Sequence, residues 1–250
     1  MSTASPLGVQ LYSVRDSIGA DELPQTLERL TDLGFTHVEP YDILSDTEAL
    51  ADAIQNAGLQ ATSAHAKITE LDSDAVLDAA ERLGLSTVIV PMVPPASIAD
   101  RSGVSALAGA INALVPTVAA RGIRLGYHNH DFEFSQKVEG RAVWEILVEL
   151  LDPSVVLELD TYWASVGGAD VFDLLSRHAD RIRYLHVRNQ PEQDALRPIL
   201  GVPVTGRQGE ILQLARGFLE MPVVEVVVHE GDVFPLLAQN ADFFAAEVLA

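Results

Sequence analysis

No cysteine occurs in the 250 residues. Disulfides, thiolate nucleophiles and cysteine-held zinc are therefore excluded, and any metal must sit among histidine and carboxylate ligands. Basic residues are scarce: 16 Lys plus Arg stand against 36 Asp plus Glu, a formal charge of −20. A surface of that sign repels phosphate backbones and anionic lipid heads, and the chain has no basic stripe, so neither nucleic acid nor membrane is an expected partner. The Gly-rich phosphate turns GxGxxG and the P-loop are absent, as is the GxSxG nucleophile elbow, which leaves dinucleotide binding and a hydrolytic triad without support. The start, MSTASPLGVQLYSV, lacks the basic residues, long apolar core and small-residue cleavage site of a secretory signal, so a cytoplasmic protein is expected. The longest low-charge stretch, Val104 to Ala120, is broken by Ser, Gly, Asn, Pro and Thr. It falls short of the roughly 20 apolar residues of a membrane span and reads as a buried helix.

Hydrophobic residues make up 48% of the chain, enough for one soluble globular domain spanning residues 1–250. Short β-branched or apolar runs alternate with segments of helical period. The runs are 7–12, 35–39, 59–65, 87–93, 123–128, 155–160, 182–187 and 223–229. Start and stop signals frame the helices between them: Asp21 with Pro24, Asp46, and Asp72 or Ser73 as openings, and Gly34, Gly58 and Gly84 as endings. Strand then helix, eight times over, predicts a single-domain α/β fold, the parallel (β/α)8 barrel. A doubly wound open sheet is the competing arrangement.

The runs end on polar groups: Gln10 and Tyr12, Glu39, His65, His128, Asp160, His186 and His229. In a parallel barrel the strand C-termini share one face, so these groups converge on one cavity. A single strand-end histidine is most often an ordinary hydrogen-bonding residue; several on one rim point to a metal. Asp160, following the apolar VVLEL, needs a cation, a donor cluster or a proton if buried. Glu133 and Glu230 lie just past strand ends, where a solvated loop carboxylate is the plain alternative. Trp163 and Phe132 fit a pocket wall for a sugar face.

The segments GVQLYSVRD (8–16), VEPY (38–41), SAH (63–65), YHNHDFEF (127–134), ELDTYW (158–163) and LHVRN (185–189) together resemble the sugar phosphate isomerase/epimerase family with the xylose-isomerase-like TIM barrel. The resemblance covers essentially the whole chain. It implies a divalent cation, Mn, Co, Mg or Zn, held by Glu, Asp, His and Glu at the ends of strands 5 to 8. On that pattern Asp160 and His186 match the Asp and His ligands. His128 or Glu133 takes the strand-5 place, and His229 or Glu230 the strand-8 place. Arg188 stands where the family's HxKD motif has Lys. A site weighted toward histidine favours Zn, Co or Ni over Mg.

The implied activity is metal-dependent isomerisation or epimerisation of a small sugar or keto-sugar through proton transfer beside a carbonyl. In that reading Glu133 and Glu230, or His229 if it faces inward, handle the proton with His65, while Gln10, Glu39, His65, Trp163 and Arg188 hold the substrate. With few cationic rim residues, an unphosphorylated sugar is favoured. Two alternatives stay open: a lyase or dehydratase acting on a keto-glycoside or inosose, and a sugar-binding barrel without catalysis. Relatives often form dimers or tetramers, which makes a homo-oligomer an expectation from the resemblance.

Overall fold

The computed structural model describes residues 6–19, 21–188, 207–227 and 231–249. Eight parallel strands form the main sheet: β1 Gly8–Gln10, β2 His37–Glu39, β3 Ser63–His65, β4 Thr87–Val90, β5 Arg124–His128, β8 Val156–Asp160, β9 Ile182–Val187 and β10 Met221–Val224. The two-residue strands β6 Lys137–Val138 and β7 Arg141–Ala142 form a separate antiparallel hairpin. The sheet order runs β2-β1-β10-β9-β8-β5-β4-β3. A parallel bridge between His37 and Gln60 joins its two ends, with Val38 N donating to Gln60 O at 2.8 Å. The single-domain (β/α)8 barrel is thus the architecture observed.

Helices begin and end where short-range chemistry dictates. The Asp46, Asp72, Asp100 and Asp170 side chains each accept from backbone N–H groups in the first turn of the following helix, satisfying donors that have no intrahelical partner. Asp21 plays no such part: the helix Leu23–Asp32 begins after Glu22 without a side-chain cap, and Pro24 in its first turn fixes the start. Gly84 takes φ 72° as its C-cap, a conformation costly for any residue with a Cβ. The helix Arg101–Ala120 departs from the sequence expectation. Only Val104, Ala108, Ile111 and Val118 are buried, one stripe turned to the core. By length and composition alone this helix passes for a membrane span, yet its buried stripe belongs to the same core as the barrel strands.

Alternate residues of each strand face the barrel axis, because side chains on a strand alternate sides. Ile89, Val156, Tyr184, Met221 and Val223 form a distinct apolar plug inside the lower barrel. A Cβ on Gly126 would lie 2.9 Å from Ile89 Cγ1, so that position stays bare. Two residues further along β2, β3, β5, β8, β9 and β10 from such inward positions, the interior turns polar. There it carries Glu39, His65, His128, Glu158, His186 and Glu225, all buried.

Candidate active site

The polar layer is built in two tiers. In the lower tier, Glu39 at the end of β2 accepts on Oε1 from Gln10 Nε2 at 2.9 Å and faces His186 Nε2 at 2.8 Å. The Ser63 hydroxyl donates to its Oε2. Glu158, the middle residue of β8, faces His65 Nε2 at 2.7 Å and His128 Nδ1 at 2.9 Å through Oε2. A carboxylate accepts and does not donate, so each facing ring nitrogen carries the hydrogen. Glu39 thereby leaves Nδ1 of His186 as the ring nitrogen open to a ligand, and Glu158 does the same for Nε2 of His128. Without a cation, the lowering effect of burial on His186 is outweighed by the carboxylates around it, which raise it well above the ordinary imidazole value.

The upper tier is where those ring nitrogens matter. Asp160, His186 and Glu225 each offer a ligand atom within 4.8 Å of the other two. His186 Nδ1 is buried, has no hydrogen-bond partner among the described residues, and lies 3.5 Å from Glu225 Oε2. Asp160 Oδ1 caps the helix Thr161–Val166 by accepting from Trp163 N at 2.7 Å, while its Oδ2 lies 3.7 Å from Arg188. Asn129 clamps the Asp160 backbone, donating to its O at 3.1 Å and accepting from its N at 3.0 Å. Two carboxylates and an imidazole with free valences, each anchored from behind, fit a divalent cation.

The ionisation of these groups follows from burial opposed by neighbours. Burial raises the Asp160 carboxyl above its ordinary range, more than Arg188 beside it lowers it. Burial works the same way on Glu225, but the His186 imidazole 3.5 Å away outweighs it and holds Glu225 at about 2. Burial would depress the His65 imidazole; the opposing carboxylates of Glu39 and Glu158 raise it instead. His130, half-buried beside His128, is pushed down to about 3 by desolvation and stays uncharged.

Above this floor opens a cavity of about 530 Å³ lined on the floor side by His65, His128, His130, Trp163 and Glu225. The barrel places it over the strand C-termini. A profile of xylose isomerase-like TIM barrel proteins matches residues 27–198.

The chain belongs to the xylose isomerase-like TIM barrel family. It superposes on a sugar phosphate isomerase/epimerase from Parabacteroides distasonis with a TM-score of 0.82 and 22% identity, covering 98% of this chain and 95% of that one. Against a xylose isomerase-like TIM barrel protein from Mycobacterium smegmatis in complex with magnesium, the TM-score is 0.69 at 14% identity, with 98% and 97% covered. Locally the chain is 42% identical over 69 residues to an inosose dehydratase from Geobacillus kaustophilus, a match that spans 27% of this chain and 21% of that protein.

Within this family framework, the structure gathers Asp160, His186, His128 and His65 as the sequence suggested, and it places Trp163 on the cavity wall. Other expected residues lie elsewhere. Glu133 does not reach the floor: its Oε1 accepts from the Tyr127 hydroxyl at 2.8 Å and its Oε2 from His130 N at 2.9 Å, which spends both oxygens on bracing the loop after β5. Gln10 and Glu39 are fully buried beneath the floor and bonded to each other, so they position other groups and do not contact the cavity. Arg188 is buried, stacked 3.9 Å over the Tyr162 ring and turned to Asp160. His229 and Glu230 lie outside the described residues.

Glu158 and Glu225 escaped the sequence reading. The sequence pattern sets the last strand at 223–229, whereas β10 is Met221–Val224, so Glu225 sits at its rim end. The signal was present: stepping by two from Met221 gives Val223 and then Glu225, and stepping back by two from Asp160 gives Glu158. A carboxylate in phase with the inward face of an otherwise apolar parallel strand marks the cavity floor.

Proposed function

We propose that this chain is a divalent-metal-dependent enzyme that moves a proton at the carbon beside a carbonyl of a sugar or keto-sugar, giving isomerisation or epimerisation. The observation that carries this reading is the upper tier: Asp160, His186 and Glu225 with unspent ligand atoms at the bottom of a cavity. His128 from β5 groups with His186 beside them, its Nδ1 facing Glu158, and would supply a fourth ligand through Nε2. A cation bound there would polarise the carbonyl and offset the charge that develops as the neighbouring C–H bond breaks. Candidate metals are Zn, Co, Mn and Mg, with the two imidazoles favouring the first two.

The chain's own residues supply the rest. Glu225 lines the cavity and is ionised at neutral pH, which suits it to receive the proton. His65 lines the same cavity, and Glu39 with Glu158 holds it toward its protonated form, which suits it to return one. Positioned proton transfer of this kind contributes about 10² to 10⁴ in rate. Trp163 and His130 wall the floor against water, and Glu133 fixes His130 by accepting its backbone N–H. Arg188 keeps the Asp160 side chain turned to the floor.

The local match to inosose dehydratase supports a second outcome of the same first step, loss of a β-substituent as water or an aglycone. Proton NMR of keto-sugars incubated with the protein in heavy water separates the two. Deuterium incorporation with an intact skeleton marks isomerisation or epimerisation; a released fragment marks elimination. Asp160→Asn and Glu225→Gln should each abolish turnover, and full activity in either would overturn the assignment.

A further inference from the structure

Among the described residues, the large apolar side chains that stand exposed are Tyr12, Leu44, Leu71, Met92 and Leu214. All but Leu214 line the cavity above the metal-ligand floor. They rise from the loops after β1, β2, β3 and β4, one contiguous half of the rim. Ile43 and Pro91 fill in behind them, and Tyr41 packs edge-on against Tyr12 at 5.2 Å. The opposite half, after β5, β8 and β10, supplies His130, Trp163 and Glu225. The cavity is therefore two-sided, with acid and imidazole on one side and a mostly hydrocarbon wall, broken by Asp42 and Lys67, on the other.

A free monosaccharide matches only one of these sides. Its hydroxyls would lose water against Leu44, Leu71 and Met92, side chains that return no hydrogen bond. A phosphate fares no better, since Lys67 is the one Lys or Arg side chain among the described lining residues. About 530 Å³ also lies within the range of roughly 300–1,000 Å³ that holds drug-sized ligands. We propose that the hydrocarbon half of this cavity is a subsite for an aryl or alkyl group carried on the sugar, so that the substrate is a keto-glycoside with an apolar aglycone. The apolar wall is continuous with the reacting floor inside one concavity, so a group covalently joined to the sugar reaches it without a second binding event. Tyr12 and Tyr41 are the aromatic side chains in that wall on which an aromatic ring can pack.

The proposal rests on the cavity being the reaction site, but its test does not require turnover. Isothermal titration of the intact protein with matched phenyl and methyl β-glycosides of glucose, galactose and mannose, and with glucose 6-phosphate, reads the subsite directly. At least one phenyl glycoside should bind about tenfold tighter than its methyl counterpart, roughly 1.4 kcal/mol. The exposed double variant Leu71→Ser with Met92→Ser should shrink that gap to under about threefold while methyl-glycoside affinity holds. Equal affinities in every pair, no binding by any glycoside, or tightest binding by the sugar phosphate would overturn the proposal. So would a self-association, seen by sedimentation, that the double variant weakens while the phenyl preference stays. A phenyl preference without turnover of any keto-sugar would remove the proposed reaction and leave the subsite standing; turnover of small keto-sugars without the preference would do the reverse.

Discussion

Replacing Glu39 by Gln separates what the lower tier does for a metal from what it does for the fold. The amide oxygen can take the Oε1 position, where Gln10 Nε2 and His186 Nε2 donate. The amide nitrogen then faces the Ser63 hydroxyl, which can turn from donor to acceptor. The second amide hydrogen and the displaced Ser63 hydroxyl hydrogen then have to re-pair inside the protein, a cost set against the relief of losing a buried charge. A carboxylate behind a ligating histidine fixes its tautomer and raises its basicity, and removing such a partner typically costs 10–100-fold in metal affinity, about 1.4–2.7 kcal/mol. The metal-free protein should respond in the opposite sense. Burying a carboxylate is expensive, so its thermal midpoint without metal should hold or rise. The assay is competition for cobalt or zinc against a chromophoric chelator, with a melting curve in excess chelator and nitrogen NMR of the His186 tautomer. Unchanged metal affinity, within about twofold, in a folded variant would refute the claim that Glu39 sets His186 for ligation.

Other outcomes follow from the same geometry. Glu158→Gln should weaken metal binding like Glu39→Gln but also destabilise the fold. Its amide nitrogen would occupy the buried Oε1 position, which has no partner among the described residues, a cost of about 1–3 kcal/mol readable by urea denaturation. Asp160→Asn keeps an acceptor for Trp163 N and hence the helix cap, so metal analysis should show loss of the ion with the fold intact. Burial raises Glu133 from 4.5 to about 7; the folded state then binds more protons than the unfolded between those values, and stability falls as pH rises through that window. At 1.36 kcal/mol per unit the loss is on the order of 3 kcal/mol, and Glu133→Gln should flatten it in melts taken across that range. Gly167→Ala would press a Cβ to 2.4 Å from Asp131 O, so it should cost several kcal/mol and displace Trp163, readable as a drop in thermal midpoint and a shift in tryptophan emission.

The barrel was legible because its signals are local and repeated. Apolar runs, helix-capping aspartates and left-handed glycines recur around the circle, and each can be read without knowing the others. Asp160 and His186 were legible for the same reason, as polar residues closing β8 and β9. The lower tier was not, because it exists only through pairings between strands distant in sequence. Whether Glu39 touches a substrate or His186 depends on how far its inward position lies below the rim, and register between β1, β2 and β10 sets that depth. Glu133 misled for a complementary reason. A carboxylate in a motif beside the site looks like a ligand until Tyr127 and the His130 N–H are seen to claim both its oxygens. Glu225 required the end of β10, and a run of valines on both sides of it blurs that boundary in the sequence.

The charge balance of the interior narrows the chemistry further. Glu39, Glu158, Asp160 and Glu225 are all buried, and Arg188 is the one buried guanidinium or ammonium beside them among the described residues. Apolar side chains at these strand positions would pack without the several kcal/mol that each desolvated ion costs. So stability alone does not account for the cluster. The lower carboxylates are satisfied by histidine N–H groups, Ser63 and Gln10, whereas the upper pair, Asp160 and Glu225, faces the unpartnered His186 Nδ1. A divalent ion placed there removes the mismatch, and the raised affinity of His65 for a proton removes more. After both, little positive field remains at the floor to attract an anion. A neutral, hydroxyl-bearing substrate is thus the electrostatic match for the acid side of the cavity, just as a hydrocarbon group is the match for the other.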